Sequence, residues 1–437
     1  MEKTLSKYVR IIRYDKNTIL IYNTINRGLV ALKNNMVDIG NHTVKLEQNE
    51  IESLDEMGFF KDEKAALSEY ESVYFDDNQM VISIETHLKC NLACPYCYQN
   101  GGKNAKVIDN TVLDLLYDHI VATSSENKPD RIIIKVLGGE PTIEWSKCSY
   151  ILDRVHDFCK EKSIEFVVMV DTNGTNAEEL LRFDSYDRLI LTVPLIEKSL
   201  HDKVRKDSKN GGTYDVIINN INKLIKEKNN LFINLRYNVD FENKDYFEKF
   251  VEDIKTKLPS GAYIYTNYVM NLTECGYQNK MSLRDFNKWV TDVSIPALIR
   301  NKVPITAAPS GAKAKCQCFG KNSFKVFSDG TIGPCAMFFF SDRISFDDYL
   351  NKRNLPDYWK KTKELNILNT ECSRCDKLFV CNGAKYMPCI SSVCKNPCTT
   401  LNGEIDFYID DYVKLYYECV LNDCEGLFVG FEDQILR

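Results

Sequence analysis

Three cysteines lie close together near residue 90, with a spacing that suits metal or iron–sulfur chemistry. The stretch CNLACPYC holds Cys90, Cys94 and Cys97, separated by three and two residues. Protein sites for zinc and for iron–sulfur clusters ordinarily take four protein ligands. A cube of four irons that is bound by only three thiolates keeps one iron open to a small molecule. The stretch therefore predicts a site whose fourth position is filled from outside the protein.

The chain as a whole is rich in cysteine. It has 437 residues and 17 cysteines, of which eleven lie from Cys316 to Cys424. The net charge of −6, the scattered charges at the start and the lack of a long apolar run predict a cytoplasmic protein that binds neither nucleic acid nor membrane. Because a reducing compartment disfavours structural disulfides, we interpret most of these cysteines as metal or iron–sulfur ligands.

Alternating strands and helices between residues 81 and 301 must position the first three cysteines. Each crossover between consecutive strands returns the chain in the same direction, so successive units of this kind imply a parallel sheet. Six units are fewer than the eight of a closed barrel, and predict an α/β, TIM-like partial (β/α)6 barrel whose function lies at the carboxyl ends of the strands. CNLACPYC follows the first of these strands. The candidate strands are VISIET, RIIIKVL, IEFVVMVD, RLILTVP, LFINLRYNVD and AYIYTNYVMN.

Two further segments flank the predicted barrel of residues 76–305. Residues 1–75 predict a small α+β domain, with strands in YVRIIRY and TILIYNT and a helix in NEIESLDEMGFF. The charged stretch KDEKAALSEYES predicts a linker. Residues 306–437 show short strands, turns and little periodicity, so we expect metal clusters to stabilise them.

CNLACPYC resembles the C-x3-C-x2-C signature of the radical S-adenosylmethionine (radical SAM) enzymes. In that family the amino and carboxylate groups of S-adenosylmethionine (SAM) occupy the open iron. One electron then breaks SAM into methionine and a 5′-deoxyadenosyl radical, which takes a hydrogen atom from the substrate. The cofactor carries the hard chemistry and the protein positions it. The resemblance implies that Cys90, Cys94 and Cys97 bind the 4Fe–4S cluster that holds SAM.

Motifs at the following strand ends extend the resemblance. The family places an aromatic residue before the last cysteine, a GGEP motif that receives the ammonium group of SAM, and a Thr-Asn-Gly that matches DTNGT. HDKVR followed by GGTY resembles a stretch whose arginine pairs with the SAM carboxylate, although the Ser-x-Asp-Gly that usually precedes it is replaced by LTVPLIEKS. Gly-Gly and Asn-Gly pairs are also typical of simple turns. The residues assigned to SAM by this resemblance are Tyr96, Gly138, Gly139, Glu140, Asn173, Thr192 and Arg205.

The later cysteines resemble the SPASM domain, an extension that binds two auxiliary 4Fe–4S clusters in radical SAM enzymes. CQCFGKNSFKVFSDGTIGPC and CSRCDKLFVC carry its spacing, and SDGTIGPC predicts a hairpin with Asp-Gly at its turn. Two zinc ribbons are the alternative interpretation. The resemblance assigns auxiliary cluster I to Cys316, Cys318, Cys335 and Cys389, and auxiliary cluster II to Cys372, Cys375, Cys381 and Cys398.

Some of these ligands stay open. The family places the next cysteine three residues after Cys381, whereas seven residues separate Cys381 from Cys389 here. Cys394 is therefore the alternative to Cys389 as a ligand of auxiliary cluster I. In a further alternative, either Cys316 or Cys318 is an extra cysteine and not a ligand. Cys419 and Cys424 come too late to fit the pattern, and we expect them to be structural.

The resemblance implies an enzyme that acts on peptides. The leading prediction is oxidative crosslinking of residues in a ribosomally made precursor peptide, through a thioether or a carbon–carbon bond of the streptide lysine–tryptophan type. The leader of that peptide would dock on a sheet edge of a winged-helix-like domain in residues 1–75. Cofactors would be three 4Fe–4S clusters and SAM, with a flavodoxin or ferredoxin as electron donor. The alternatives are an anaerobic sulfatase-maturing enzyme that makes formylglycine, and a zinc-binding peptide module without activity.

Overall fold

The computed structural model divides the chain into two compact units. The first, here called the terminal unit, comprises Met1–Asp76, Ala307–Lys315 and Leu365–Arg437; the second, the barrel unit, comprises Asp77–Thr306 and Cys316–Glu364. These units cut across the three consecutive segments predicted from the sequence. The structure describes residues 1–74, 78–97, 99, 106–176, 178–181, 186–258, 262–269, 277–305, 317–335, 343–351, 356–383, 386 and 397–428.

The terminal unit begins with two small antiparallel sheets, each of three strands. The strands are β1 (Glu2–Thr4), β2 (Val9–Arg13), β3 (Thr18–Asn23), β4 (Leu29–Lys33), β5 (Val37–Asp38) and β6 (Thr43–Lys45). One sheet has the order β1-β6-β5 and the other β2-β3-β4. The predicted helix follows as α1 (Gln48–Glu56), which buries Ile51 and Leu54 against the apolar core of both sheets.

The stretch predicted as a linker is a helix, α2 (Glu63–Tyr74). Ala66 and Tyr70 lie four residues apart, on one helical face, and both are buried. Tyr70 packs edge-to-face on Phe379 with ring centroids 5.4 Å apart, and Tyr8 packs on the same ring at 4.8 Å. The charged residues on the remaining faces masked this narrow apolar stripe in the sequence.

The C-terminal part of the terminal unit contains α13 (Leu378–Cys381) and α14 (Pro397–Leu421). Helix α14 packs on the second sheet. Arg10 Nη2 lies 3.2 Å from Asp410 Oδ1, and the rings of Tyr14 and Tyr417 meet edge-to-face at 5.0 Å. The winged-helix and SPASM characters of these regions stay predictions.

Six parallel strands form the core of the barrel unit, which confirms the predicted parallel sheet. Every residue of the fourth of these strands is buried, as expected for a sheet that is covered on both faces. The strands are β7 (Gln79–Glu85), β8 (Arg131–Leu137), β9 (Glu165–Asp171), β10 (Arg188–Pro194), β11 (Leu231–Val239) and β12 (Ala262–Tyr268).

Helices lie between these strands, as the alternating pattern predicts, and further helices follow the last strand. Those between the strands are α3 (Asn110–Asn127), α4 (Trp145–Lys162), α5 (Glu178–Leu181), α6 (Lys198–Val204), α7 (Tyr214–Glu227) and α8 (Phe247–Lys257), and those after the last strand are α9 (Leu283–Trp289) and α10 (Ile295–Asn301). The apolar face of α7 is buried at Tyr214, Ile217, Ile218, Ile221 and Leu224. A π-helical turn, Val290–Ser294, joins α9 to α10. Among the described residues, no helix combines the length and the apolar character that a membrane span needs.

The sheet continues beyond β7 into three short strands that we did not predict as part of it. β13 (Phe324–Val326) runs parallel to β7, and β14 (Thr331–Gly333) and β15 (Ile344–Ser345) follow antiparallel. Gly330 has φ +85° at the turn, which confirms the Asp-Gly hairpin. Lys325 Nζ lies 2.9 Å from Glu85 Oε2 and neither group reaches solvent appreciably, so a buried ion pair joins β13 to β7.

Helices α11 (Phe346–Leu350) and α12 (Asp357–Lys363) complete the barrel unit. Lys363 at the end of α12 donates to the carbonyl oxygen of Gly320 at 2.7 Å. This contact ties α12 to the turn that precedes β13. The hairpin is therefore held to the barrel by β7 on one side and by α12 at its base.

Candidate active site

A cavity of about 220 Å³ lies at the carboxyl ends of the barrel strands. This is the edge at which the strand order predicts a site. The loop after β7, residues 86–97, is here called the three-cysteine loop, and all three of its cysteines line the cavity. The sequence-predicted residues on the cavity wall are Cys90, Cys94, Cys97, Tyr96, Gly138, Gly139, Asn173 and Arg205.

The Gly-Gly pair after β8 holds the three-cysteine loop through the backbone. Gly139 N–H donates to His87 O at 3.0 Å, and Glu140 N–H donates to Lys89 O at 2.8 Å. A Cβ on Gly139 would lie 2.0 Å from Lys89 O, and one on Gly138, whose φ is +140°, would lie 2.4 Å from His87 O. No other residue type allows this approach, so the glycines position the loop.

Glu140 is buried behind the cavity wall. Its carboxylate accepts hydrogen bonds from Thr142 Oγ1 at 2.6 Å, from Thr172 Oγ1 at 2.7 Å and from Asn173 N–H at 2.5 Å. Burial raises the pKa of this carboxyl, and the donated hydrogen bonds oppose that rise. The structure thus places the Glu140 carboxylate where it ties the end of β8 to the end of β9. It does not line the cavity, where the sequence resemblance assigned it.

Asn173 links the end of β9 to the three-cysteine loop. Its Nδ2 donates to Asn91 Oδ1 at 2.7 Å and lies 3.9 Å from Cys90 Sγ. Its Oδ1 accepts from Thr175 N–H at 2.9 Å, which fixes the orientation of the amide. The following Gly174 has φ +77°, so the predicted Asn-Gly turn is present. An amide donor therefore lies beside the first thiol.

Arg205 places a guanidinium against the other end of the loop. Nη1 lies 3.5 Å from Cys94 Sγ and 3.4 Å from Tyr96 Oη. The side chain is 4% exposed, and its access is to the cavity. Burial raises the pKa of the Cys90 and Cys94 thiols, and the charge of Arg205 opposes that rise at Cys94. A guanidinium in this position can bind a carboxylate through two parallel hydrogen bonds.

The HDKVR and GGTY stretches hold Arg205 in place. His201 Nε2 lies 3.1 Å from Thr213 Oγ1, and that hydroxyl donates to the carbonyl oxygen of Arg205 at 2.7 Å. Asp202 Oδ1 accepts from Tyr214 N–H at 2.9 Å. Burial lowers the pKa of His201 well below its usual value, so the imidazole is neutral. These hydrogen bonds join the two stretches and hold Arg205 in one position.

Thr192 is the other predicted residue that does not line the cavity. It lies on β10, is 7% exposed, and its hydroxyl is hydrogen-bonded to Tyr265 on β12. The same tyrosine is hydrogen-bonded to Arg236 on β11. Thr192 therefore belongs to a hydrogen-bonded row of side chains that crosses β10, β11 and β12.

Sequence analysis missed several polar residues on the cavity wall. Arg236 and Asn238 near the end of β11, Asn267 on β12 and Asp171 at the end of β9 all line it. A signal was present, because residues two apart on a strand share one face, and the polar residues Asn234, Arg236 and Asn238 occupy alternate positions along β11. The cavity therefore combines two arginines with a carboxylate and four side-chain amides.

The later cysteines fall into both units. Cys318 and Cys335 are buried in the barrel unit, on either side of the β13–β14 hairpin. Cys372, Cys375 and Cys381 belong to the terminal unit, where Cys375 N–H donates to Cys372 O at 3.0 Å within a tight turn. Within the described ranges, no three His, Cys, Asp or Glu side chains are arranged around a single metal ion. Cys316, Cys389, Cys394 and the side chain of Cys398 lie outside the described residues.

The donor set of the cavity fits the predicted cluster and SAM. Three thiols share one wall, and an amide and a guanidinium lie against them. A cube that takes three thiolates needs them around one space, and SAM brings a carboxylate that a guanidinium can bind. The auxiliary cluster assignments stay predictions.

Comparison with known proteins agrees with this site. Residues 84–254 match the Radical SAM superfamily, and this range contains the three-cysteine loop, the Gly-Gly pair and Arg205. A cysteine-type anaerobic sulfatase-maturating enzyme of Clostridium novyi is 23% identical over 360 residues, which are 75% of this chain and 91% of that protein. The radical SAM cyclopropyl synthase TigE of Paramaledivibacter caminithermalis is 23% identical over 297 residues, 58% of this chain and 60% of that protein.

Solved structures show the same fold. The structure of native anSMEcpe with bound AdoMet and the Cp18Cys peptide has a TM-score of 0.53 and 16% identity, and the match covers 80% of this chain and 99% of that chain. The chain thus shares the fold of this solved structure, and its residues 84–254 match the Radical SAM superfamily.

Proposed function

We propose that this chain, whose residues 84–254 are a radical SAM domain, is a radical SAM enzyme that oxidatively crosslinks two residues of a ribosomally made peptide. The observation that carries the proposal is the cavity at the strand ends, which has three cysteines and a fixed arginine on its wall. Because a radical SAM domain makes the protein an enzyme, the inactive zinc-binding module is not carried further.

The residues of this cavity divide the work of binding and orientation. Cys90, Cys94 and Cys97 would hold the 4Fe–4S cluster, which together with SAM supplies a 5′-deoxyadenosyl radical when electrons are provided. Arg205 would bind the SAM carboxylate, and its burial strengthens that ion pair by excluding water. Tyr96, whose ring meets Tyr277 edge-to-face at 5.8 Å, would bound the adenine side. The cytoplasm, where a flavodoxin or ferredoxin supplies electrons, suits this chemistry.

The relatives support a peptide as the substrate. One is a sulfatase-maturating enzyme, and the anSMEcpe structure holds a peptide. The terminal unit offers a sheet edge for a leader peptide, since among the described residues β4 pairs with β3 alone. An extended peptide could add a strand there, with backbone hydrogen bonds supplying affinity. Val30 and Leu32 of β4 pack against the unit's core, so the edge is firmly seated.

Crosslinking removes two hydrogens from the peptide. One leaves as an atom to the radical, and the other as a proton and an electron. The electron needs an acceptor, which the auxiliary 4Fe–4S clusters at Cys318 and Cys335 and at Cys372, Cys375 and Cys381 would provide. Three clusters would then use eleven of the 17 cysteines of this chain.

A second candidate function is sulfatase maturation, in which a cysteine or serine is oxidised to formylglycine. The Clostridium novyi enzyme favours it, because the match to that protein extends over 75% of this chain. The two functions share every residue of the cavity described here. They differ in the peptide that is accepted and in the product.

The experiment that tests the proposal uses anaerobically purified protein with SAM, a strong reductant and candidate peptides. One candidate is the peptide encoded by the short open reading frame beside the gene, and the other is a cysteine-containing sulfatase peptide. We expect methionine and 5′-deoxyadenosine to appear, and the neighbouring peptide to lose the mass of two hydrogens. Formylglycine in the sulfatase peptide, with no change in the other, would decide for the second candidate.

A matched pair of variants assigns the chemistry to the three-cysteine loop. Replacing Cys90, Cys94 and Cys97 by alanine should abolish release of methionine and remove about four irons per chain. Cys159→Ala changes a buried cysteine of helix α4 outside the cavity. This variant should release methionine and retain its iron as the natural chain does. If the unaltered protein releases no methionine when reduced, the radical SAM proposal is wrong.

A further inference from the structure

The end of helix α14 brings two cysteines together through its backbone. Asp423 has φ 53°, in the left-handed region, immediately beyond the helix. Its N–H donates to Val420 O at 3.3 Å, and Cys424 N–H donates to Cys419 O at 2.9 Å. These two bonds, from the residues at C′ and C″ to the carbonyls at C2 and C3, constitute a Schellman motif.

A Schellman motif makes the side chains at C3 and C″ meet, ordinarily as a hydrophobic contact. Here both positions are cysteines, and the two Sγ atoms lie 2.9 Å apart. Cys424 Sγ also lies 3.4 Å from Cys419 O. A disulfide bond is about 2.0 Å long, so two sulfurs 2.9 Å apart can bond after a small movement.

We propose that Cys419 and Cys424 form a reversible dithiol–disulfide pair, a modification site that is separate from the radical SAM cavity. Neither cysteine fits the predicted cluster motifs. Within the described part of the chain, no third His, Cys, Asp or Glu joins them to form a metal site. The 2.9 Å between the two Sγ atoms suits a bond between them.

The exposure of the two thiols sets the order of the reaction. Cys419 is 1% exposed, whereas Cys424 is partly exposed, so a small-molecule disulfide reaches Cys424 first. The Cys424 thiolate attacks that disulfide and forms a mixed disulfide, releasing one small thiol. The Cys419 thiolate then attacks the Cys424 sulfur and releases the second. The protein thiols lose two electrons and two protons in total, and the small disulfide is reduced to two thiols.

The disulfide would join the last turn of α14 to the residues just beyond it. Helix α14 packs against a sheet of the terminal unit. Tyr417 and Asp410, on the same helix, contact the second N-terminal sheet through Tyr14 and Arg10. A covalent clamp at residues 419–424 prevents the last turn from fraying. The oxidised form should therefore resist proteolysis at the end of α14 better than the reduced form.

Mass mapping of the full-length protein tests the proposal directly. Oxygen-free incubation with glutathione disulfide is followed by alkylation and trypsin digestion. Lys414 and Arg437 bound a tryptic peptide, residues 415–437, whose only cysteines are this pair. We expect that peptide to be unalkylated and lighter by two hydrogens, and dithiothreitol to restore two alkylation sites. Glutathione adducts on Cys424 that never resolve into the internal disulfide would overturn the proposal.

Variants of Asp423 show whether the Schellman motif is the cause. Asp423→Gly keeps the left-handed backbone and should form the disulfide at least as fast as the natural chain. Asp423→Ile resists positive φ and should slow its formation about tenfold. Equal rates in both variants would mean that the backbone does not pair the thiols, and would contradict the inference. Cys419→Ala should stop at the mixed disulfide, which confirms the order of attack.

Discussion

The three-cysteine loop and the end of helix α14 place their thiols by opposite means. The three-cysteine loop is held by residues that are distant from it in sequence. These are Gly139, which lies just after β8, and Arg205, which lies between β10 and β11. The end of α14 needs only the five-residue step from Cys419 to Cys424 and one left-handed residue between them. The first arrangement requires a folded barrel, and the second requires only a helix that ends.

The partners of the thiols differ accordingly. In the loop, the neighbours of Cys90 and Cys94 are an amide and a guanidinium, and the thiols share a cavity that can contain a cofactor. At the end of α14 the two sulfurs lie 2.9 Å from each other. Cysteine spacing therefore predicts chemistry only when the backbone between the cysteines is known.

The largest expected effect separates the two regions through one glycine in each. Gly139→Ala places a methyl group on Lys89 O and should displace the three-cysteine loop, at a cost of about 3 kcal/mol or more, with loss of the cluster's iron. Gly426, near the α14 cysteines, has open space around its Cβ position. Gly426→Ala should change the free energy of unfolding by less than about 0.5 kcal/mol. Denaturant titration and iron analysis measure both; equal effects would end the distinction.

The next effect concerns SAM binding at the loop. Arg205→Lys keeps the charge but loses the two-pronged donor, so the dissociation constant of SAM should rise about tenfold or more. Arg300→Lys, at an exposed ion pair with Glu248, is the matched control and should leave it unchanged. Equilibrium binding of SAM to the anaerobic protein measures both. Unchanged affinity in Arg205→Lys would show that another group, such as Arg236, binds the carboxylate.

A pH effect should arise from His201, which supports Arg205. Burial lowers the folded-state pKa of His201. Below pH 6.5 the imidazole of His201 therefore binds a proton in the unfolded chain but not in the folded chain. The contribution of His201 to the free energy of unfolding is therefore fully present above pH 6.5. As the pH drops below this value, that free energy falls by up to about 1.4 kcal/mol per pH unit. His201→Gln should remove this share of the slope. Urea unfolding between pH 5 and 8 tests it; an unaltered slope would assign the dependence to other groups.

The smallest expected effect is at the end of α14. Asp423→Gly removes the cost of a left-handed residue with a side chain and should stabilise the protein by less than about 1 kcal/mol. SAM cleavage should not change, because residue 423 lies outside the cavity. Thermal unfolding of the reduced protein measures the gain. A loss of stability would mean that the Asp423 side chain, rather than its backbone, caps the helix.

Sequence reasoning located the barrel strands and eight of the 19 residues that line the cavity, because long apolar strands and strand-end motifs are local features. It predicted the hairpin of β13 and β14 but missed the pairing of β13 with β7, because three residues are too few for a periodic signal and the two strands are far apart along the chain. The buried ion pair of Lys325 and Glu85 accompanies this pairing. Sequence reasoning also treated α2 as a linker, because two buried side chains among charged ones form a weak pattern.

The side-chain directions were the least predictable feature. Glu140 stands next to two glycines that line the cavity, yet its carboxylate points to donors on the neighbouring strand end. Arg236 and Asn238 carried no motif and still reach the cavity wall. Both results follow from strand pairing, which determines what lies opposite each residue.

By itself, the sequence determined the three thiols at one strand end, the parallel order of the barrel and the thiol spacing at the end of α14, because each depends on residues that are near neighbours along the chain. The tertiary structure alone decided that Gly139 holds the loop by its backbone, that Arg205 reaches Cys94 and that Glu140 faces inward. These contacts join residues up to 111 positions apart, and only the packing of one strand end on the next brings such residues together.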